Sequence, residues 1–328
     1  MKIWRFHEFG PIENLQMEES PVPEPGPGEA LVRVAYAALN PADKYLVGGK
    51  YPRPGKPPFA VGRDGSGFIE KAGEGSRFKP GDAVVLLRSE IGVQRDGTLA
   101  QYVVVPEVSL APLPAGWSMQ EGAAGPLVLL TAWQALVGEG RLQAGNTVLI
   151  TGASGGVGTA SLMLAKSLGA RVVALSRSDH KRARLLELGA DFAFDPDDPD
   201  LVKGVQSALD GGRCDVVVEN LGGPYLQKSI FLTGFKGRIC VVGLLAGLKS
   251  EIEIGTFIFK RIHIIGIAMG AQTAEESQEA WGRIVSTLAQ SGRRPQIDQV
   301  FPFDRVQEAF ARLGQGAMGK VLVGPMNS

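Results

Sequence analysis

Cysteine and histidine are scarce in this chain of 328 residues, which has two cysteines, Cys214 and Cys240, and three histidines, His7, His180 and His263. Two cysteines exclude a four-cysteine structural zinc site, and the histidines are too far apart in sequence to form a ligand-spaced motif. Both cysteines sit in apolar, strand-like runs. That points to buried thiols in a reducing compartment, the cytoplasm, rather than to a disulfide. Long hydrophobic runs are missing as well, and none approaches the ~18 residues of a membrane helix. The opening Met1-Lys2-Ile3-Trp4-Arg5-Phe6-His7-Glu8 has no long apolar region and no small-residue cleavage site, so no secretory leader is expected. An excess of one charge is absent too, with 34 Lys and Arg against 34 Asp and Glu. A neutral balance gives no reason to expect nucleic acid or an anionic membrane as the main partner.

What is present is a chain 44% hydrophobic, of a length that suits about two domains. The first part is rich in proline, glycine and β-branched residues. Ala30–Leu39, Gly67–Gly73, Asp82–Leu87 and Gln101–Val105 read as short strands, with turn chemistry at Lys79-Pro80-Gly81-Asp82. The character changes near Gly125-Pro126, where a helical stretch, Leu127 to Val137, leads into alternating strand and helix signals. Arg171–Leu175, Asp215–Asn220, Gly237–Gly243 and Ile262–Ile267 are strands, and the alternation argues for a parallel doubly wound sheet. Two amphipathic helices, Ala274–Gln290 and Arg305–Leu313, and a closing strand, Gly319–Val323, end the chain. Ile262–Ile267 is an apolar strand expected at a sheet edge, where it invites pairing with a second copy in a homodimer.

The most informative run is Val148-Leu149-Ile150-Thr151-Gly152-Ala153-Ser154-Gly155-Gly156-Val157-Gly158. It reads as a buried strand, a tight turn and a helix start, with the helix continuing to Leu168 and Gly169 at its C-terminal end. The spacing Ala153-x-Gly155-x-x-Gly158 places alanine at the first glycine of the usual fingerprint. Such a turn lets backbone approach a diphosphate while the helix N-terminus presents free N–H groups to it. The second strand, Arg171–Leu175, makes this a dinucleotide site rather than a chance glycine turn. An acidic residue at that strand's end would hold the ribose hydroxyl of NAD. The chain instead has Ser176, Arg177 and Lys181, a small neutral residue and two cations able to reach a 2′-phosphate. With Asp179 the one discordant charge, the expected cofactor is NADPH.

With Asn40-Pro41-Ala42-Asp43, Gly62-Arg63-Asp64-Gly65-Ser66-Gly67, Phe78-Lys79-Pro80-Gly81-Asp82, Gly97-Thr98-Leu99-Ala100-Gln101-Tyr102, Leu130-Thr131-Ala132-Trp133, the glycine loop and Gly319-Lys320-Val321-Leu322-Val323, the chain resembles the medium-chain dehydrogenase/reductase superfamily, in its zinc-free quinone oxidoreductase branch. The resemblance covers nearly the whole chain. It implies an α/β protein: a Rossmann doubly wound parallel sheet at 125–268 and a β-rich GroES-like catalytic domain split between 1–124 and 269–328, with the active site in the cleft between them. It assigns the three zinc-ligand positions of the metal-dependent relatives to Asn40, Arg63 and Leu127, and their proton-relay serine to Ala42. Neither arginine nor leucine is a zinc ligand. Hydride transfer without a metal needs an acceptor that is already electrophilic, a quinone or an α,β-unsaturated carbonyl.

On this resemblance Asn40, Thr131, Asn220, Gly243 and Lys320 join Ala153, Gly155, Gly156, Val157, Gly158, Ser176, Arg177 and Lys181 around the cofactor. Asp43 orients the pocket, and Tyr45 and Tyr51 line the acceptor site, the alternative being that they are ordinary amphipathic tyrosines. Pro196 falls where many relatives carry an aromatic residue at the adenosine end. An enoyl-thioester reductase and a non-catalytic NADPH-binding protein are the alternative functions.

Overall fold

The computed structural model describes residues 1–52, 54–87 and 91–326. They fall into two compact units, one formed by residues 1–127, 272–281 and 296 onward, the other by 128–271 and 282–295.

The second unit is built on six strands in the order Phe192–Phe194, Arg171–Leu175, Thr147–Ile150, Cys214–Glu219, Thr233–Val241, His263–Gly266. Every neighbouring pair is parallel. The central strands are near-continuous apolar runs, and Val148, Leu149, Ile150, Val172, Val173, Val216, Val217 and Val218 are all buried. Both faces of a parallel sheet are covered, so no polar alternation survives in its strands. Helices Gly156–Ser167, Asp179–Glu187, Leu201–Ala208, Tyr225–Leu232 and Ile254–Lys260 connect them. Chain order reverses between Thr147–Ile150 and Cys214–Glu219. That reversal is the switch point at whose carboxyl end open α/β sheets bind ligands. The helix expected from Leu127 runs as an α-helix over Pro126–Trp133 and widens into π-helical turns over Gln134–Gly138.

The first unit holds a seven-stranded sheet. Its path runs Ile297–Phe301, Lys320–Val323, Glu29–Ala38, Asp64–Ala72, Ala83–Leu86, Leu110–Pro112, and Tyr102–Pro106 also pairs with Glu29–Ala38. The last strand of the chain pairs antiparallel with one of the earliest, Leu322 opposite Ala38 and Val323 opposite Ala37. Leu39 extends this contact by donating its N–H to the Val321 carbonyl at 2.9 Å. The C-terminal residues thereby lie beside the turn that begins at Asn40. The core of this unit includes Phe6, Val32, Val34, Phe59, Leu86, Phe301, Phe310 and Val321. Trp4 spans it, donating its indole N–H to the Phe303 carbonyl at 2.8 Å.

Cys214 and Cys240 are buried, unpaired thiols in adjacent parallel strands. Burial pushes each up to about 12. The thiolate is the reactive form, so neither should react with a thiol reagent such as DTNB while the protein is folded, and both should react on unfolding. Stoichiometric labelling of the native protein in mildly alkaline buffer would contradict this burial.

Candidate active site

In the second unit the strand Thr147–Ile150 ends on a turn that demands glycine. Gly152 takes a left-handed φ of +56°, so the residue that makes the turn stands one position before Ala153. Ala153 is buried and donates its N–H to the Leu175 carbonyl at 3.0 Å, tying the turn to the second strand. Gly155 caps the helix Gly156–Ser167, whose first turn carries Gly156, Val157 and Gly158. A Cβ on Gly158 would lie 2.5 Å from the Gly152 carbonyl oxygen, so only glycine lets the helix start this close to the turn. The free N–H groups of that first turn have no intrahelical partner. They form a cradle of the kind a diphosphate occupies.

Beyond the turn, Asn220 closes the switch point. Its backbone N–H donates to Thr151 Oγ1 at 2.8 Å and its side-chain amide to the Thr151 carbonyl at 2.7 Å. Glu219, a residue that sequence reasoning missed, organises this corner. It is fully buried and accepts from Thr151 Oγ1 (2.9 Å), Leu221 N (2.9 Å), Gly222 N (3.0 Å) and Ser229 Oγ (2.5 Å). A buried carboxylate so supplied with donors is satisfied without a cation. Gly243 follows the next strand and donates to the Glu219 carbonyl at 3.3 Å. Thr131 is buried on the helix Pro126–Trp133.

At the end of the second strand Ser176 is buried and donates its N–H to the Phe194 carbonyl at 3.0 Å. Ser178 caps the next helix, accepting from Lys181 N at 3.4 Å. Arg177 is exposed and makes no hydrogen bond or ion pair among the described residues. Arg182, which the sequence did not single out, explains why. Its guanidinium donates to the Ser176 carbonyl at 2.6 Å and engages both Asp179 and Asp195. The discordant acid Asp179 is therefore neutralised on its own helix. Pro196 has its carbonyl held by Lys228, and Tyr225 donates its hydroxyl to Asp197 at 3.0 Å. An aromatic ring thus stands close to the loop where the sequence placed none.

The first unit concentrates charge in its interior. Asn40, Asp43, Asp64 and Lys320 are all buried. Asp64 Oδ1 accepts from Leu127 N (2.9 Å), and Oδ2 accepts from Asn40 Nδ2 (2.9 Å) and Lys320 Nζ (2.9 Å). Lys320 also donates to Asn40 Oδ1 at 2.6 Å. The ammonium expected at the cofactor is thus committed to Asn40 and Asp64. Asp43, in the first turn of the helix Pro41–Val47, accepts from Asn40 N at 2.8 Å and from Arg63 Nε at 3.4 Å. Arg63 donates through Nη1 to the Tyr51 hydroxyl at 2.8 Å, its guanidinium 4.6 Å from the Tyr51 ring centroid. Burial works against the Arg63 cation, but Asp43, Tyr51 and Asp64 outweigh it, and its pKa lies above the ordinary arginine value. Tyr45 lies on the same short helix, half-buried, with no hydrogen bond from its hydroxyl among the described residues.

Zinc does not suit this cluster. Its polar groups are two carboxylates already engaged by two cations, together with one amide, and no group of three or more His, Cys, Asp or Glu residues able to hold a metal occurs among the described residues. A nicotinamide dinucleotide does suit the second unit, because the missing side chain at Gly158 lets the helix Gly156–Ser167 start against the turn with its first N–H groups open to a diphosphate.

A doubly wound sheet with a glycine cradle, accompanied by a GroES-like β unit, is the architecture of a nicotinamide-dependent oxidoreductase. Two family models match the chain, the alcohol dehydrogenase GroES-like domain over residues 26–115 and zinc-binding dehydrogenase over 156–286. A quinone oxidoreductase of Pongo abelii is 30% identical over 98% of this chain and 97% of its own. A zinc-type alcohol dehydrogenase-like protein of Schizosaccharomyces pombe is 32% identical over 96% of each chain. The crystal structure of Escherichia coli quinone oxidoreductase complexed with NADPH superposes with a TM-score of 0.88 at 25% identity, covering 98% of this chain and 99% of that one. The chain belongs to the medium-chain dehydrogenase/reductase superfamily, in its quinone oxidoreductase branch.

Removing one partner of a buried ion pair strands the other. Lys320→Met should therefore destabilise the protein by about 3–5 kcal/mol in urea unfolding. Adding Asp64→Leu should recover part of that loss. Wild-type stability in the single variant would show that the Lys320–Asp64 contact holds nothing together.

Proposed function

We propose that this enzyme is an NADPH-dependent, zinc-independent reductase that delivers hydride to a quinone or an α,β-unsaturated carbonyl. The observation that carries the reading is the pair of buried cations, Arg63 and Lys320, in the neighbourhood where the resemblance puts zinc ligands. With no metal to polarise an oxygen, the acceptor must already be electrophilic. Bound NADPH supplies the hydride. The chain's own residues hold, orient and shield.

In this reading the N–H groups of Gly156, Val157 and Gly158 hold the diphosphate, while Ala153 and Gly155, whose own N–H is donated to the Gly152 carbonyl at 3.0 Å, fix the turn. Ser176 leaves room for a 2′-phosphate, and Arg177 and Lys181 bind it. The exposed Arg177, without an ion pair of its own, supports that assignment. Thr131, Asn220 and Gly243 stand along the nicotinamide half. Asn40, fixed by Lys320 and Asp64, presents a rigid amide. Asp43 fixes Arg63, which in turn holds Tyr51. Tyr45 and Tyr51 are the phenols that can donate to an acceptor oxygen, since a phenol with pKa near ~10 is protonated at neutral pH. The test is a panel of quinones, enones, enoyl thioesters and aldehydes with NADPH consumption as readout, and failure to oxidise NADPH with any of them overturns the reading. Arg177→Ala should weaken NADPH binding by about ten- to a hundredfold, the value of a lost charged hydrogen bond, and NADH much less. Equal losses for the two cofactors would mean that Arg177 does not read the phosphate.

The working form is a homodimer, and two buried, unpaired thiols support a reducing compartment, the cytoplasm. No helix among the described residues is long and apolar enough to cross a membrane. Among the described residues the edge strand His263–Gly266 pairs on one side only, with Thr233–Val241. Nearby in sequence, Phe235, Leu248, Ile258 and Phe259 are exposed, Phe259 to 83%. An unpaired edge beside exposed apolar side chains supports self-pairing about a twofold axis. Light scattering at micromolar concentration should give twice the chain mass, and a monodisperse monomer would refute the dimer.

A further inference from the structure

Arg63 presents an unanswered demand. Its side chain is nine-tenths buried, at 10% exposure. Nε is directed to Asp43 and Nη1 to Tyr51, but Nη2 is buried and has no hydrogen-bond partner among the described residues. A buried donor on a charged group with no acceptor is unfavourable, because its hydration is lost and not replaced. Such a group calls for an acceptor that arrives from outside the fold. We propose that Arg63 Nη2 is the donor that receives the carbonyl oxygen of the acceptor substrate, which makes Arg63 a catalytic residue of this enzyme.

The charge count decides which acceptor suits it. Arg63 faces Asp43, and Lys320 faces Asp64, so two cations meet two carboxylates. Asp43 is entirely buried, which raises its pKa, and the Arg63 guanidinium and the Asn40 N–H oppose that shift and favour the ionised carboxylate. A cluster already balanced has no electrostatic need for a substrate carboxylate, which would bring one buried negative charge too many. A neutral carbonyl meets the demand of Nη2 without upsetting the balance. A bound reduced nicotinamide would supply hydride to the alkene or quinone carbon, and the displaced π electrons would go to the carbonyl oxygen held by Arg63. A proton from solvent then completes the reduced product. Negative charge therefore grows at the atom that Nη2 faces. A hydrogen bond that strengthens as charge develops lowers the barrier more than it tightens ground-state binding.

The neighbours of Arg63 suit this role. Asp43 receives Asn40 N and Arg63 Nε, so the helix start Pro41–Val47 fixes the plane of the guanidinium. The Tyr51 hydroxyl accepts from Nη1, which leaves its own hydrogen free to point elsewhere. Two donors, Nη2–H and the phenol O–H, are thereby held by one rigid group. Planarity is needed for this, because a lysine at the same place could satisfy Asp43 but could not also hold Tyr51 and present a second donor.

The inference takes its chemistry from the reductase reading, and the experiment separates the two by adding a readout that needs no turnover. Arg63→Gln, Arg63→Lys and the charge-balanced double variant Asp43→Asn with Arg63→Gln are compared with wild type. With 2-cyclohexenone, kcat/KM should fall by about 10²–10³ in each variant, the loss typical of a dedicated oxyanion donor. The NADPH dissociation constant should stay unchanged, and the loss with 1,4-benzoquinone should be smaller, because that acceptor is the more electrophilic. Cyclohexanone, which has the carbonyl but no alkene to reduce, should bind the NADP⁺-loaded protein about tenfold or more weakly in the variants, by ligand-observed NMR. Active wild type with variants that keep both turnover and cyclohexanone affinity would overturn the assignment and leave Nη2 to a water molecule. Wild type that reduces no acceptor yet binds cyclohexanone in an Arg63-dependent way would sink the reductase reading and keep the carbonyl site. Wild type that does neither would overturn both. Should the glutamine variants not fold, Arg63→Lys, which keeps the charge opposite Asp43, decides alone, and full activity in it refutes the proposal.

Discussion

The first unit depends on placing two cations and two carboxylates out of water without leaving a charge alone. Asp64 takes three hydrogen bonds, one from the backbone of Leu127, one from Asn40 and one from the Lys320 ammonium. Lys320 can be there only because the last strand of the chain pairs with the end of Glu29–Ala38. Sheet closure and charge burial are thus one constraint. An open sheet would leave Asp64 buried without its cation, and a missing Asp64 would place an ammonium in the closed sheet unpaired. Buried ion pairs contribute little net stability compared with apolar packing, but breaking one is strongly unfavourable. The cluster therefore specifies how the sheet closes more than it adds to stability.

The second unit meets a similar problem without a cation. Glu219 is wholly buried and is satisfied by two hydroxyls and two backbone N–H groups. Those donors come from the residue that follows Thr147–Ile150, from the loop that follows Cys214–Glu219, and from the helix Tyr225–Leu232. One carboxylate therefore sets the shape of the switch point from beneath. Asn220 and the turn at Thr151–Gly152 inherit that shape, and the helix start at Gly156 follows them. In both units a buried acid gathers donors from segments distant in sequence, and the groups proposed to meet ligands are carried on those segments.

The parallel sheet was legible from local pattern. Strands buried on both faces must be apolar throughout, and Val148–Ile150, Val172–Leu175 and Val216–Val218 advertise this. The glycine turn was legible because a left-handed φ and a close helix approach exclude side chains, although the turn itself uses Gly152 rather than Ala153. The 2′-phosphate reading rested on an acid absent after Leu175, again a local fact. What the sequence hid was pairing. Arg182 lies five residues beyond Arg177 and reads as one more cation on a helix face. Only its reach to Ser176, Asp179 and Asp195 shows that it removes the discordant charge and leaves Arg177 without an ion pair. Glu219 reads as an ordinary strand-end acid until its four donors are seen.

Sequence alone determined the class of fold, the place of the glycine turn and helix start, and the family, because each rests on short-range geometry: strand period, glycine conformation, helix start. Tertiary structure decided what the charged residues do. Arg63 and Lys320 stand 257 positions apart in the numbering, and no local rule says that one faces Asp43 and the other Asp64. Electrostatic partnership is settled by which strands pair and how deeply they bury their side chains, since a charge in a low-dielectric interior must be answered by whatever the fold brings within a few ångströms. The unanswered donor on Arg63 exists only as a property of that folded arrangement.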